Sequence, residues 1–290
     1  MKVSGFTFLR NGQKLGYPFV ESVRSILPIV DEFVIALGPC DDDTEKMLRA
    51  IGDPKIRIIA TQWNERIRND YSLKGFVFGQ QKSIALFNCT GDWAFYLEGD
   101  EIVHEDDLPK IRATMEKHLH NEEVEALYFD YIHFLGNKNT RVWSPGWYRT
   151  APRILRNTIP AWAPKGLYFV VLENHKRSRY PKAAPADAVI YHYGNMRTQE
   201  EWNLKAQLVG KYWSNQPKPF TYANVDPQSL KPFTGTHPKV VESWLPPADG
   251  LFQPAEGRPL KFRDFRHRIM SKVENCFGLD FTHKHYKRVA

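Results

Sequence analysis

Five short apolar runs alternate with four stretches of helical period over residues 1–135. Val3 to Leu9 is apolar and stops at Arg10-Asn11-Gly12, a strand followed by a turn. Phe19, Val23, Ile26, Leu27 and Val30 recur at helical spacing after Pro18, which suits a first helical turn. Phe33 to Leu37 predicts a second strand, broken by Gly38-Pro39 and an Asp-rich turn that caps a short helix over Glu45 to Ile51. Ile56 to Ala60 predicts a third strand, and the polar, aperiodic stretch 61–74 a long loop. A helix over about Gly79 to Asn88 ends near Gly91. Trp93 to Leu97 then follows as five apolar or aromatic residues in a row, the pattern of a strand buried on both faces. Leu108, Ile111, Met115 and Leu119 mark another helix, and Ala126 to Ile132 a fifth strand. Strands alternating with helices in this way predict an α/β layer with a mainly parallel sheet.

Beyond residue 136 the period weakens. Aromatic residues crowd the stretch 137–185, Glu200 to Trp213 reads as a helix, and 215–259 is a Pro-rich extended wrap. Phe262, Phe265, Ile269, Val273 and Cys276 then form one helical stripe in a tail rich in basic residues. The chain divides accordingly into 1–135, 136–257 completing the same domain, and a tail over 258–290.

The 290 residues carry a formal net charge of +7. From Arg258 onward there are nine Lys or Arg against three acids, so the body is close to neutral. A basic tail on a neutral body points to a local anionic partner and argues against a nucleic-acid surface. No run reaches the roughly 18–20 apolar residues of a membrane span, and the N-terminus has no signal-peptide pattern. Cys40, Cys89 and Cys276 fit neither a metal site nor a disulfide framework. The expectation is a cytoplasmic protein, with peripheral contact on the inner membrane face if the tail stripe lies on lipid rather than on the body.

Candidate chemistry gathers where the central strand ends. Glu98, Asp100 and Glu101 put three carboxylates within four positions, with Gly99 between the first two. Such acids repel unless something positive sits among them, and a hard divalent cation is one answer. An acidic turn in water is the other. In open α/β sheets the C-terminal strand edge is where ligands bind.

The ordered set of Arg10-Asn11, Val30-Asp31-Glu32-Phe33-Val34-Ile35, the Asp-rich turn before Thr44, Gln81-Lys82-Ser83, Thr90-Gly91-Asp92-Trp93 and Leu97-Glu98-Gly99-Asp100-Glu101 resembles glycosyltransferases of GT-A fold. The likeness is to the large family-two type, in particular to bacterial enzymes that build surface polysaccharides. It covers 1–135 and continues more loosely through Ala151 to Asn157 and on to Tyr191-His192-Tyr193-Gly194. The resemblance implies a Rossmann-like, mainly parallel sheet flanked by helices, an irregular acceptor-side region and a C-terminal helical tail. It further implies transfer of a sugar, with inversion, from a nucleoside-diphosphate sugar to a glycan or lipid-linked glycan acceptor.

Several site residues come with the resemblance. Glu98 and Asp100 stand where the family holds Mg2+ or Mn2+ on the donor diphosphate, with His192 as a third candidate ligand. Glu replaces the usual first Asp of that motif, which makes Asp100 the safer ligand. Arg10, Asp42, Lys82 and Glu98 would contact the donor. Leu37 replaces the acid that usually meets the nucleoside, and either one of Asp41, Asp42 and Asp43 takes over that contact or the three merely cap the following helix. Glu101 and Asp130 lead as general base, ahead of Glu173 and Asp187. Trp147, Tyr148 and Arg153 would hold the acceptor sugar, since flat rings cover a pyranose face. Two rivals remain, a nucleotidyltransferase and a binding protein on an inactive transferase fold. Arg10-Asn11-Gly12 is too short for the Gly-rich basic loop that the first of these needs.

Overall fold

A computed structural model describes residues 1–67, 73–213, 221–247, 252 and 259–289. Part of the loop expected at 61–74, about a third of the wrap expected at 215–259, and Arg258 of the basic tail lie outside the described residues.

The first four strands are β1 (Val3–Leu9), β2 (Glu32–Leu37), β3 (Ile56–Ala60) and β4 (Trp93–Tyr96). They lie side by side in the order β3-β2-β1-β4, all parallel. Helices α1 (Phe19–Ile26), α2 (Thr44–Arg49) and α3 (Phe76–Phe87) connect them. Alternation decides which helix covers which face. Val3, Leu9, Phe33, Ile35, Trp93 and Phe95 point to one face, where α1 and α4 (Leu108–Lys117) supply Phe19, Val23, Ile111 and Met115. Phe6, Val34, Ala36, Ala94 and Tyr96 point to the other, against Ala85 and Leu86 of α3. These are the strands and helices the sequence predicts, with ends moved by a few residues. The helix expected from Gly79 begins at Phe76, and the central strand leaves the sheet after Tyr96 rather than Leu97.

After β5 (Glu101–Val103) and β6 (Ala126–Leu135), the stretch 137–185 differs most from its irregular expectation. It builds β7 (Asn137–Val142), β8 (Thr150–Arg156), β9 (Ala161–Lys165), β10 (Tyr168–Asn174) and β11 (Arg177–Arg179), and it begins β12 (Lys182–His192). β8 fits between β4 and β6, antiparallel to both, and β12 runs parallel to β6. Strands from before and after residue 136 therefore share one sheet. β8 shows no alternation because all seven of its residues are buried, Arg153 and Arg156 among them. Helix α5 (Gln199–Gly210) follows, opened by a capping box between Thr198 and Glu201. The chain continues through β13 (Leu230–Pro232) and α6 (Phe262–Phe277) to β14 (Lys287–Arg288). Among the described residues no helix is long and apolar enough to cross a membrane, and the three cysteines are free.

Candidate active site

β1 and β4 pair from Val3–Trp93 to Phe6–Tyr96, so their C-terminal ends open side by side. A cavity of about 260 Å³ lies at that edge. Its floor is Glu98, Gly99, Asp100 and His192, and its walls include Arg10, Tyr17, Trp63, Tyr96, Lys205 and Tyr212. The acids arrive there because Trp93 to Leu97 is wholly buried and the chain must leave the sheet in a turn. Ser22 Oγ and the Glu101 amide both donate to the Glu98 carbonyl and fix that turn.

Sheet register then assembles the rest. β12 pairs with β5 on one side and β6 on the other, setting His192 opposite both Glu101 and His133. Asp100 Oδ2 lies 3.7 Å from His192 Nε2 and 3.8 Å from Lys205 Nζ. Burial pushes the Asp100 carboxyl up, but His192, Lys205 and Arg197 outweigh it and hold the group well below the usual carboxylate range. Burial pushes the Lys205 ammonium down to about 8, against the pull of Asp100.

The orientation of the His192 ring follows from its neighbour. His133 Nε2 lies 2.7 Å from the Tyr148 carbonyl, which can only accept, so that nitrogen carries the proton. His133 is buried, and burial followed by the His192 charge pushes its pKa down to about 3, so the ring is neutral. Its Nδ1 must therefore accept from His192 Nδ1, 2.9 Å away. His192 Nδ1 is thereby committed to His133, and Nε2 is the nitrogen that faces Asp100, the orientation of a metal-ligating imidazole held by its other nitrogen.

The sign of the His133 contribution to stability is fixed. Between pH 6.5 and 3 the unfolded chain binds a proton here that the folded chain excludes, so stability present above pH 6.5 is lost as pH falls. A urea-unfolding series from pH 7 to 5 should show this as a slope of up to ~1.4 kcal/mol per pH unit. His133→Gln, which can still donate to Tyr148 and accept from His192, should flatten that part of the slope. An unchanged slope would mean that His133 titrates normally.

The remaining acids separate by environment. Glu101 has no exposed surface, and both its oxygens go to Arg153, Nε at 2.8 Å and Nη2 at 2.7 Å. Tyr131 Oη and the Glu98 amide also donate to it. Glu98 faces the cavity, with Arg153 Nη2 3.7 Å away. Burial, then the charges of Glu101 and Asp100, push Glu98 up to about 7 against the opposing pull of Arg153 and Lys82.

Other expected site residues are dispersed. Arg10 lines the cavity, with its guanidinium tied to Glu65 at 2.5 Å and to the Pro39 carbonyl at 3.0 Å. Asp42 accepts from the Thr44 and Lys14 amides and is not among the residues lining the cavity; the N-cap position of α2 is Asp43. Lys82 is fully buried between the Tyr96 and Phe169 rings, 3.9 and 4.0 Å from their centroids, and donates to the Gly166 carbonyl. Asp130 is exposed on β6, away from the cavity. Arg153 is buried against Glu101 rather than open to a sugar. Tyr148 packs edge-on to His133 and Tyr131. Trp147 lies on the far side of His133, at 5.2 Å between ring centroids, and lines a second groove of about 490 Å³ against α6.

Trp63, Lys205, Lys211 and Tyr212 line the first cavity without any signal in the local sequence pattern. Two buried polar atoms on this wall, Trp63 Nε1 and Tyr96 Oη, have no hydrogen-bond partner among the described residues. A buried donor left unpaired costs free energy unless a ligand or water meets it.

The described residues contain no group of three His, Cys, Asp or Glu placed to hold a metal. Asp100 and His192 nevertheless fit a shared Mg2+ or Mn2+, because Mg2+ uses few protein ligands at roughly 2.1 Å and completes its shell with phosphate and water. Oδ2 and Nε2 at 3.7 Å are within reach of one such ion.

The sequence matches no protein-family profile and no curated protein. Among solved structures it is similar to glucosyl-3-phosphoglycerate synthase from Mycobacterium tuberculosis, in a complex with Mn2+, UDP and phosphoglyceric acid. Identity there is 20%, over 45% of this chain and 43% of that one, with a TM-score of 0.33. A second is S. aureus TarS, at 16% identity over 54% of this chain and 28% of that one, with a TM-score of 0.35. The matched parts span less than half of either protein. Likeness at this level carries nothing about what this chain binds. The sheet is mixed: β1 to β4 run parallel, β6 and β12 likewise, and β8 lies antiparallel between β4 and β6, with helices on both faces and the acids beyond the C-terminal end of β4.

Proposed function

We propose that this protein is a metal-dependent glycosyltransferase that moves a sugar from a nucleoside-diphosphate sugar to a glycan or lipid-linked glycan, with inversion. The observation that carries the reading is the Asp100–His192 pair, with Nε2 3.7 Å from the carboxylate on the floor of a cavity at the sheet's C-terminal edge. Asp100 and His192 would hold Mg2+ or Mn2+, which supplies Lewis-acid neutralisation of the departing diphosphate. Arg10 and Lys205 bring cations to the same cavity for the phosphates, and the Trp63 ring with its unpaired Nε1 suits a nucleobase.

In the transfer an acceptor hydroxyl oxygen bonds to the anomeric carbon while the bond from that carbon to the diphosphate breaks. Glu98 is the favoured group to take the hydroxyl proton, since it faces the cavity and its pKa near 7 suits a general base. Glu101, committed to Arg153, and the exposed Asp130 yield that role to it. Trp147 and its groove serve the acceptor side.

A binding protein on an inactive transferase fold is the second reading. It is favoured by Lys205, whose ammonium already sits where it balances Asp100.

Thermal-shift measurements with UDP-, GDP-, dTDP- and CMP-sugars, with and without Mn2+, test both readings. One donor at ~100 times its dissociation constant should stabilise the chain by about 2.7 kcal/mol only when metal is present. Asp100→Asn should abolish the effect. Glu98→Gln should keep the stabilisation and lose turnover. Stabilisation without metal, or without turnover in the intact protein, moves the second reading ahead. No response to any donor sinks the nucleotide-sugar site.

A further inference from the structure

Helix α6 is seated with its polar side inward. The helix has two carboxylates, Asp264 and Glu274, and both are buried. Glu274 Oε2 accepts from Arg149 Nη2 at 2.7 Å, Asp264 Oδ2 accepts from the Lys261 amide, and Arg268 forks onto Asp226. The Arg149–Glu274 and Arg268–Asp226 contacts tie one face of the helix to the body, while the Asp264 contact caps its first turn.

The opposite face is apolar and turned out. Phe262, Phe265 and Ile269 are spaced by three and four residues and are 85, 52 and 63% exposed. Phe277 is 73% exposed, and Leu279 and Phe281 continue the apolar surface at 48 and 43%. A helix in a soluble fold normally buries this stripe. Packing it onto the body, one expectation from the sequence, does not occur among the described residues. Because both acids face inward, the exposed surface of the helix carries cations alone: Arg263, Arg266 and Lys272.

We infer that α6, with Leu279 and Phe281, is a docking surface for an anionic lipid bilayer. The helix lies in the interface plane with its phenylalanines in the acyl boundary and its arginines and lysine at the headgroups. Such a helix binds by buried apolar area plus attraction to anionic lipid, the two features this face combines. Charge decides among occupants. A second copy on the same face would bring two cationic rims together, whereas an anionic headgroup layer neutralises them. The surface needs nothing from the donor cavity, and it would bring the Trp147 groove on the inner side of α6 close to a lipid-linked acceptor.

The test is co-sedimentation of the full chain with vesicles of phosphatidylcholine and phosphatidylglycerol in equal parts, against phosphatidylcholine alone. The chain should pellet with the anionic vesicles and less so as salt is raised. Phe265→Glu combined with Ile269→Glu should cut partitioning at least ~10-fold, and Arg266→Glu with Lys272→Glu should remove the preference for phosphatidylglycerol. All these side chains are exposed, so the variants should keep the wild-type melting midpoint and the donor-induced shift. Failure here thus leaves the donor reading standing. Equal pelleting with both vesicle types, unchanged binding by the Phe265/Ile269 variant, or a wild-type dimer that this variant converts to monomer overturns the inference.

Discussion

Replacing Arg153 by methionine should lower the free energy of unfolding by about 3–5 kcal/mol, the largest loss expected from any single change near the cavity. The guanidinium is 2% exposed and holds both oxygens of Glu101, which has no exposed surface at all. Removing it strands a carboxylate in the interior, with only Tyr131 and a backbone amide still donating to it. Glu101→Leu alone should cost a similar amount, since Arg153 would keep only the Pro152 carbonyl at 3.2 Å and, as a counter-charge, the more distant Glu98 at 3.7 Å. The double variant Arg153→Met/Glu101→Leu should recover much of the loss, because the two charges leave together and apolar side chains of similar volume replace them. Urea unfolding of the three variants in a cycle measures this. If each single change costs less than ~1 kcal/mol, or the double costs the sum of the two, the pair does not have the structural role its geometry gives it. The same experiment bears on chemistry. A carboxylate whose removal unfolds the chain, and whose partner's removal does likewise, belongs to the scaffold under Glu98 rather than to the base that meets the acceptor.

That pair also marks the limit of what the sequence alone reveals. The strands around β4 were legible because each is a short apolar run flanked by turn residues, and burial on both faces needs no further information. β8 was not legible, since Arg153 and Arg156 break any apolar pattern. Their burial is tolerable only through partners far along the chain: Glu101 for the first, and for the second the carbonyls of His118, Leu119, Asn121 and Val124. The acid cluster was legible as a cluster. Which of its members faces the cavity was not, because a turn of one residue sends Glu98 and Asp100 outward and Glu101 in beneath them. Lys82 illustrates the same gap, being a basic helix position in the sequence and an enclosed ammonium under two aromatic rings in the fold. Trp63 and Lys205 carry no local signal because the Asp100 and Arg10 they accompany are brought to them by tertiary packing.

Gly194→Ala should remove metal-dependent donor binding while leaving the chain folded. Gly194 follows β12 by two residues, and its place is set by Asp100, whose backbone carbonyl accepts from the Tyr193 amide at 2.9 Å. A methyl on Gly194 would overlap Asp100 Oδ2 and lie 2.8 Å from His192 Nε2. Neither atom has room to give. Asp100 is held among His192, Lys205 and Arg197, and the His192 ring is fixed by His133 behind it. The carboxylate must therefore swing away from His192, and the two candidate ligands no longer share one point. Overpacking of this kind typically costs about 1–3 kcal/mol of stability, which a chain of this size should tolerate. Against that background, the ~2.7 kcal/mol stabilisation expected from saturating donor and Mn2+ should fall below ~1 kcal/mol. Asp100→Asn keeps the volume and removes the charge, so it should lose the same stabilisation with a smaller change in the unliganded melting midpoint. Comparing the two separates geometry from charge. If Gly194→Ala responds to donor and metal as the wild type does, the meeting of Asp100 and His192 is not where the ion sits, and the balance of Asp100 by Lys205 becomes the site's resting purpose.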